Sequence, residues 1–245
     1  MARNFTSAST HYLEHAAAVS TTLPLTFAAW ARQTAAGALQ AILSIADSAS
    51  GVRFALLSTG THTIQATHSD GTTTGSATTT ATGTINVWMH AAAVFNTNAD
   101  RTVYLDGGNG VNNTTSVTGS MAACNVTQIG RRRAVTYWDG DIAEAGIWSV
   151  ALDASEIAAL GKGVSPLLIR PGSLLAYWPL IGRYSPEICP KGGFDMTVTS
   201  AVVAAHPRIY YGGRSPFSYT APTATGLPRL VGPSFSLAGH GGLAA

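Results

Sequence analysis

The sequence predicts an all-β fold built from antiparallel sheets. Between Thr26 and Val150, short runs of β-branched and aromatic residues are separated by clusters of Gly, Asn, Asp, Ser and Thr, at the spacing typical of antiparallel strands. The segment 84–90 alternates polar and apolar residues, as a strand with one buried face requires. The 245 residues can bury a sizeable core, either as one domain of about 200 residues with an appendage or as two small domains.

The apolar runs place the individual strands. Residues that favour tight turns, such as Ser69-Asp70-Gly71, lie between the runs. The Thr-rich stretch Gly71–Thr84 is either a long polar loop or a weak edge strand. The predicted strands are Leu25–Arg32, Ala41–Ile45, Val52–Leu57, Thr61–Thr67, Ile85–Phe95, Arg101–Leu105, Asn125–Ile129, Asp141–Trp148, Leu174–Leu180 and Met196–Val203.

One short helix is predicted over Leu152–Gly161. Asp153 is placed to cap the first amides, and Glu156 follows three residues later, as in a capping box. Gly161 can end the helix, because glycine readily adopts the left-handed conformation of a C-terminal cap.

Charge is scarce in this chain. Charged residues make up 11% of it, with 14 Lys and Arg against 12 Asp and Glu, so the net charge is +2. We do not expect nucleic acid as a partner, because phosphate binding needs a dense basic face. A surface with few charges resists association weakly, which favours a protein that works inside an assembly.

Neither export nor membrane insertion is expected. Residues 1–20 lack the apolar region of a secretory signal, and no run of eighteen apolar residues is present to span a bilayer as a helix. Cys124 and Cys189 are far apart and have no metal-ligand spacing, so free thiols are expected.

The composition changes at His206. Residues 206–245 hold 7 Gly and 5 Pro but no acidic residue, and such a segment cannot build a core of its own. We therefore divide the chain into a domain over 1–205 and an extended assembly arm over 206–245, which is ordered by contact with other chains. The arm's expected contacts are its aromatic residues Tyr210, Tyr211, Phe217, Tyr219 and Phe235.

Several segments, taken in order, carry a family likeness. They are Tyr12-Leu13-Glu14, Pro24 to Trp30, Trp88-Met89-His90, Val103 to Gly107, Ile129-Gly130-Arg131, Asp139 to Glu144, Trp148 and the helix Leu152–Leu160. Together they resemble the LamG-like (laminin G, concanavalin A-like) jelly-roll domain found in bacterial and bacteriophage proteins, over about residues 3–205. The resemblance implies a concanavalin A-like β-sandwich with framework residues at Trp30, Trp88, Tyr104, Ile142 and Trp148.

The resemblance also implies a class of function. Members of this family are mostly not enzymes; they bind sugars or proteins, sometimes through calcium, and in phages they decorate heads or form parts of fibres. We therefore predict a non-enzymatic structural or decoration protein of a phage-like virion, made in the host cytoplasm. Its partners would be capsid subunits and copies of itself. The alternative is a lectin-like module that binds surface glycans, with or without calcium.

Candidate ligand-binding residues cluster near the middle of the chain. Tyr137 and Trp138 are the one aromatic pair that looks exposed, and such rings stack on sugars. Beside them, Arg131, Arg132 and Arg133 can bind carboxylates or phosphates, unless they simply form a solvated loop. The remaining tryptophans, Trp30, Trp88, Trp148 and Trp178, are predicted to lie in the core.

Two motifs raise catalytic alternatives. His11 to His15 spells H-x-x-E-H, a zinc motif when it lies on a helix, but the family's first strand is expected here. Asp139, Asp141 and Glu144 invite a glycosidase interpretation, although Asp141 and Glu144 should point to opposite faces of one strand. We favour structural roles for all of these residues and predict no enzyme activity.

No cofactor is required by the sequence, but calcium remains open. Three turns, Asn96–Asp100, Asp106–Asn109 and Asp139–Asp141, are rich in oxygen ligands that calcium prefers. Hairpins use the same residues simply to turn, so no ligand set can be named.

Overall fold

The computed structural model describes residues 1–212, and of Asn109 only the backbone. Seventeen strands are present in this range, with one α-helix and two short 3-10 turns. They are β1 (Ala2–Phe5), β2 (Tyr12–His15), β3 (Leu25–Gln33), β4 (Gln40–Ala46), β5 (Val52–Ser58), β6 (Thr63–Asp70), β7 (Thr74–Thr82), β8 (Met89–Thr97), β9 (Asp100–Leu105), β10 (Gly108–Asn113), β11 (Val126–Ile129), β12 (Arg131–Arg132), β13 (Thr136–Tyr137), β14 (Gly140–Trp148), α1 (Ala154–Gly161), β15 (Leu174–Trp178), β16 (Thr197–Thr199) and β17 (Val202–Ala204).

Two antiparallel sheets form a sandwich. Sheet A has the order β10-β9-β8-β3-β14-β1-β17, with β15 also paired to β14, and sheet B has the order β16-β2-β11-β4-β5-β6-β7. The inward faces enclose a core that includes Phe27, Phe54 and Phe95, whose rings pack edge to face or tilted. Aromatic burial of this kind supplies much of the stabilisation of a sandwich core. The predicted all-β antiparallel architecture is confirmed.

Helix α1 covers part of the outer face of sheet A. Ile157 and Leu160 of the helix pack with Trp148 in a second, smaller apolar cluster. The predicted capping box is confirmed, because Asp153 Oδ1 accepts hydrogen bonds from the amides of Ser155 and Glu156 at 2.8 and 2.9 Å, and Glu156 Oε2 accepts one from the Asp153 amide at 2.9 Å.

Most predicted strands are confirmed within two residues; β6 ends three residues later than predicted, at Asp70, and two strands differ more. Ile85–Trp88 forms a turn before β8, since Asn86 adopts a left-handed conformation (φ 62°). The predicted strand Met196–Val203 is divided at Ser200 (φ 58°), so that β16 joins sheet B and β17 joins sheet A. The Thr-rich stretch forms β7, an edge strand, as one of the two alternatives predicted.

The compact sandwich unit runs from Met1 to Gly212, seven residues beyond the domain boundary predicted at 205. The Tyr210 amide donates to Gly163 O at 2.7 Å, and the Ser165 amide donates to Tyr210 O at 2.8 Å. The Tyr211 hydroxyl donates to Glu144 at 2.7 Å. Two of the expected arm contacts are thus held against their own sandwich, while Phe217, Tyr219 and Phe235 lie outside the described residues.

Within the described range, no helix is long and apolar enough to cross a membrane. Cys124 and Cys189 are buried free thiols, as predicted.

Candidate ligand-binding site

The predicted site residues lie on one small hairpin, formed by β12 and β13. Arg131 pairs with Tyr137 and Arg132 pairs with Thr136. The hairpin is fastened to β4, because Ser44 Oγ donates to Arg131 O at 3.0 Å and the Gly130 amide donates to Ile42 O at 3.0 Å. The structure therefore brings the arginines and Tyr137 together, as the sequence predicted.

The prediction that Trp138 is exposed is wrong. Its side chain is 0% exposed and belongs to the main core, whereas Tyr137 is partly exposed. Adjacent residues of an extended chain point in opposite directions, so only one of the two rings can face solvent. Trp138 therefore anchors the hairpin and cannot contact a ligand.

A surface cavity of about 280 Å³ lies beside the hairpin. Apolar side chains project at its rim, with Leu39 39% and Val135 68% exposed. Its lining combines residues from the β1–β2 connection, the β3–β4 connection and the hairpin: Ser7, Ala8, Ala38, Leu39, Gln40, Val135, Thr136, Tyr137 and Asp139.

The polar lining of this cavity is held in place by hydrogen bonds. The Asp139 carboxylate accepts from the Ser7 amide at 2.6 Å and also from the Ser7 hydroxyl. Gln40 Oε1 accepts from the Asp139 amide at 2.9 Å, and Gln40 Nε2 donates to Ala35 O at 3.0 Å. The carboxylate keeps lone pairs for a ligand, since two oxygens offer about four acceptor positions. Side chains fixed in this way lose little entropy on binding.

Arg131 is occupied by its own chain. Its guanidinium lies 3.4 Å from the centroid of the Tyr12 ring and forms an ion pair with Glu14. Cation–π stacking and pairing with a carboxylate engage the group, and its buried Nε has no hydrogen-bond partner among residues 1–212. Arg131 therefore fixes the hairpin, and of the three adjacent arginines only Arg132 and Arg133 remain for a ligand.

Residues Tyr12–His15 of the H-x-x-E-H segment form strand β2 and not the helix that the zinc motif needs, as predicted. Glu14 accepts from Gln128 Nε2 at 2.7 Å, and His15 Nδ1 lies 2.9 Å from Asp195 O. Among residues 1–212, no group of three or more His, Cys, Asp or Glu side chains is placed to hold a metal ion.

The oxygen-rich turns do not form one site. The turn before β9 and the turn after it lie at opposite ends of a six-residue strand, which separates them by about 20 Å. Asp100 accepts from Asn96 and Asn112, and Asp106 accepts from the His90 amide at 2.8 Å. Calcium binding remains a prediction.

The prediction that Asp141 and Glu144 point to opposite faces is wrong. A bulge between Ala143 and Gly146, with Glu144 at φ 54°, shifts the alternation so that both carboxylates lie on the outer side of sheet A. Asp141 accepts from Arg32 Nε at 2.6 Å, and Glu144 accepts from Tyr177 at 2.8 Å. Burial, reinforced by Glu144, raises the pKa of Tyr177. Both acids are thus engaged in structural bonds.

A second partly exposed aromatic surface was missed in the sequence. Trp30 and Trp88, predicted as core, are only partly buried, while Trp148 and Trp178 are buried as predicted. The Trp30 ring lies 5.6 Å from the His90 ring, and the Arg32 guanidinium lies 6.0 Å from the Trp88 ring. The alternation Trp30-Ala31-Arg32 already indicates an outward-facing pair on β3.

Solved structures share this fold. A protein from Bacteroides ovatus, described as a candidate carbohydrate-binding protein, is 17% identical with a TM-score of 0.61, covering 83% of this chain and 59% of that one. The native heptameric SAP-like pentraxin of Limulus polyphemus is 14% identical, with a TM-score of 0.53 over 65% of this chain and 81% of that one. The CBM40 module of the Ruminococcus gnavus IT-sialidase, bound to α2,3 sialyllactose, is 17% identical, with a TM-score of 0.50 over 58% of this chain and 84% of that one.

The sequence itself points the same way. A comparison with curated proteins finds no match. Residues 7–158, however, match the Laminin_G_3 family model. This match covers more than half of the chain and agrees with the two-sheet sandwich and its structural neighbours. The chain therefore belongs to the concanavalin A-like lectin/glucanases superfamily.

Proposed function

We propose that this domain binds a glycan, without cleaving it, in the cavity beside the β12–β13 hairpin. The observation that carries the proposal is the combination of a partly exposed aromatic ring, Tyr137, with a carboxylate, Asp139, in one concave surface; Ser7 and Gln40 hold Asp139 in place. A sugar needs both, since its C–H faces pack on apolar groups and its hydroxyls need directed partners.

The cavity is suited to a single sugar ring. About 280 Å³ lies just below the range of about 300–1,000 Å³ that is usual for small-molecule sites. Tyr137, Leu39 and Val135 supply apolar contact at the rim. The Tyr137 hydroxyl makes no hydrogen bond within residues 1–212 and is available to a sugar hydroxyl, as is the remaining acceptor capacity of Asp139.

A binding role without catalysis agrees with the bonds that Asp141 and Glu144 form within the chain. Asp141 pairs with Arg32, and Glu144 is buried by Tyr177 and Tyr211. A glycosidase needs two free carboxyls facing one cavity, and the cavity lining contains one, Asp139. The neighbours described as carbohydrate-binding support the same class of function through their shared fold.

A glycan array tests the proposal with the full chain and two matched aromatic variants. We expect binding to defined glycans that Tyr137→Ala weakens at least tenfold, equivalent to about 1.4 kcal/mol. Trp88→Ala, which removes a partly exposed ring away from the cavity, should leave binding intact. Loss of binding in Trp88→Ala alone, absence of any bound glycan, or cleavage of the bound glycan would contradict the proposal.

A subunit of a phage-like particle is the second candidate. It is favoured by exposed apolar side chains near the outer edge strand β17, namely Tyr184, Ile188, Val202 and Val203. Tyr184, Glu187 and Ala201 all bond to Arg3, which gathers these segments at one place. Exposed apolar side chains beside an open strand edge favour contact with another chain, here capsid subunits or further copies.

Light scattering on the full chain and on a form ending at Gly212 tests this second candidate. An assembly that the full chain forms and the shorter form does not would support an arm that recruits partners. A full chain that stays monomeric at high concentration, and does not join particles, would remove the structural role and leave the glycan-binding one.

A further inference from the structure

Two arginines, Arg53 and Arg133, bond to the turn between β4 and β5, and Arg132 is next to Arg133 on the hairpin. Arg53 Nη1 donates to Gly51 O at 2.6 Å, and Arg133 Nη2 donates to Ala49 O at 3.3 Å. Arg132 precedes Arg133 on the hairpin, and its Nη2 donates to Thr136 Oγ1 at 3.0 Å. Arg53 comes from the sandwich and the other two from the hairpin, so the fold assembles a cluster that the sequence does not show as contiguous.

None of these arginines forms an ion pair within the described chain, although the charge of Arg133 is one of the causes that lower the pKa of Asp47. Arg3, Arg32 and Arg131 each form an ion pair with a carboxylate, whereas no carboxylate of residues 1–212 lies within 4.0 Å of Arg53, Arg132 or Arg133. The nearby acid, Asp47, accepts hydrogen bonds from the Ala49 and Ser50 amides of its own turn. Arg132 donates only to Thr136 Oγ1, at 3.0 Å.

The cluster is also partly withdrawn from water. The Nε atoms of Arg53, Arg132 and Arg133 are buried and have no hydrogen-bond partner in this part of the chain. Burial, followed by the charges of Arg53 and Arg133, lowers the pKa of Arg132 to about 10, and burial with Arg133 also lowers the pKa of Arg53. Like charges and unsatisfied donors held together destabilise a site unless an anion compensates them.

Two of the three arginines, Arg132 and Arg133, lie on the hairpin that also lines the cavity. Thr136, which accepts the hydrogen bond of Arg132, lines the cavity next to Tyr137. A ligand that occupies the cavity therefore has its next group close to guanidinium forks, which bind carboxylate and sulfate oxygens in pairs. Three cations in a chain of net charge +2 suit one oxyanion and not the long phosphate backbone of a nucleic acid.

We propose that Arg53, Arg132 and Arg133 form an anion subsite, which binds the carboxylate or sulfate of an acidic glycan whose neighbouring ring lies in the cavity. This inference rests on the proposed glycan-binding function and adds the class of glycan. Arg132 links the cluster to the cavity, because its guanidinium donates to Thr136 Oγ1 of the cavity lining.

Matched glycan pairs that differ by one carboxylate or sulfate test the subsite. We expect the wild-type full chain to bind the acidic member at least tenfold more tightly than its neutral partner, as measured by calorimetry. Arg132→Gln should remove this preference, so that the acidic member binds no more tightly than the neutral one. The control Arg183→Gln removes the same charge from an exposed arginine outside the cluster and should keep the preference.

The outcomes separate the two proposals. Equal binding of acidic and neutral members, or an equal loss in both arginine variants, would overturn the anion subsite and leave glycan binding standing. Tyr137→Ala should weaken both members. If no glycan binds but sodium sulfate raises the melting temperature relative to sodium chloride at equal ionic strength, the oxyanion is bound without a sugar, and the glycan assignment is wrong.

Melting temperatures of the variants without ligand show whether each variant is folded. Without ligand, Arg132→Gln should keep or raise the melting temperature, since it relieves repulsion among partly buried like charges. Arg53→Gln provides a second variant from a different element and should lose the acidic preference as well. A folded Arg53→Gln that keeps the full preference would contradict the three-arginine subsite.

Discussion

Acidification should destabilise this domain through two buried histidines well before its carboxylates protonate. His68 is fully buried against Phe54, with ring centroids 4.6 Å apart, and neither ring nitrogen has a hydrogen-bond partner among the described residues. Burial, helped by the charge of Arg101, lowers the pKa of His68 to about 4. Burial alone lowers the pKa of His90 to about 3.

The sign of the effect follows from proton linkage. The unfolded chain takes up protons on these side chains below its ordinary histidine pKa of 6.5, while the folded chain does not until about pH 4 or below. The free energy of unfolding is therefore unaffected by these histidines above pH 6.5, and it falls as the pH decreases below that value. Between pH 7.5 and 5.0 each histidine should remove about 2 kcal/mol, about 4 kcal/mol together.

Urea unfolding at pH 7.5, 6.0 and 5.0 measures this loss. His68→Phe keeps an aromatic ring beside Phe54 but cannot titrate, so about half of the pH dependence should disappear. His90→Phe should remove the other half, and the double variant should be nearly flat over this range. Asp47, Asp70 and Asp100 have lowered pKa values, mainly from hydrogen bonds, and their contribution is lost only below about pH 4. A wild-type free energy of unfolding that stays constant to pH 5.0, or a double variant that keeps the full slope, would refute the reasoning.

Two further substitutions test how the elements around the site are held. Asp153→Ala removes the capping box of α1 and should lower the free energy of unfolding by about 1 kcal/mol, with Ser155→Ala as a milder control. Gly140→Ala places a Cβ against the backbone oxygen of Arg32 at φ 131°, a conformation that alanine resists, so β14 must shift. We expect a loss of at least about 2 kcal/mol in urea unfolding, and a neutral result would mean that β14 and β3 are less closely packed than described.

The fold was largely predictable because its signals are local. Runs of β-branched residues located the strands, and the spacing of Asp153 and Glu156 located the helix and its first turn. The failures arose where one backbone angle overrides a continuous pattern. Left-handed Asn86 and Ser200 interrupt segments that alternate smoothly in sequence, and the bulge at Glu144 adds a residue that reverses the alternation.

The candidate site was predictable only in part, since its composition depends on contacts between distant segments. The hairpin residues Arg132, Arg133 and Tyr137 were located from sequence, but Arg53 joins them through the pairing of β4 and β5. Asp139 was singled out only as a candidate catalytic acid, while its position in the cavity depends on Ser7, more than 130 residues earlier. The burial of Trp138 could have been predicted, because strand alternation allows only one of the adjacent residues Tyr137 and Trp138 to face solvent.

Some residues of the hairpin fix it to the sandwich and others are left to contact a ligand, which explains how a weakly charged surface could bind selectively. Trp138, buried in the core, and Arg131, stacked on Tyr12 and paired with Glu14, hold the two ends of the hairpin. Arg132, Arg133 and Tyr137 lie between these two anchors in the chain and are therefore held at a fixed spacing. Because neighbouring surface charges are few, an anion meets little competition from local carboxylates, and a rigid frame reduces the entropy lost when it binds. Replacing an anchor should therefore weaken binding by loosening the frame, whereas replacing Tyr137 or Arg132 should weaken it by removing a contact.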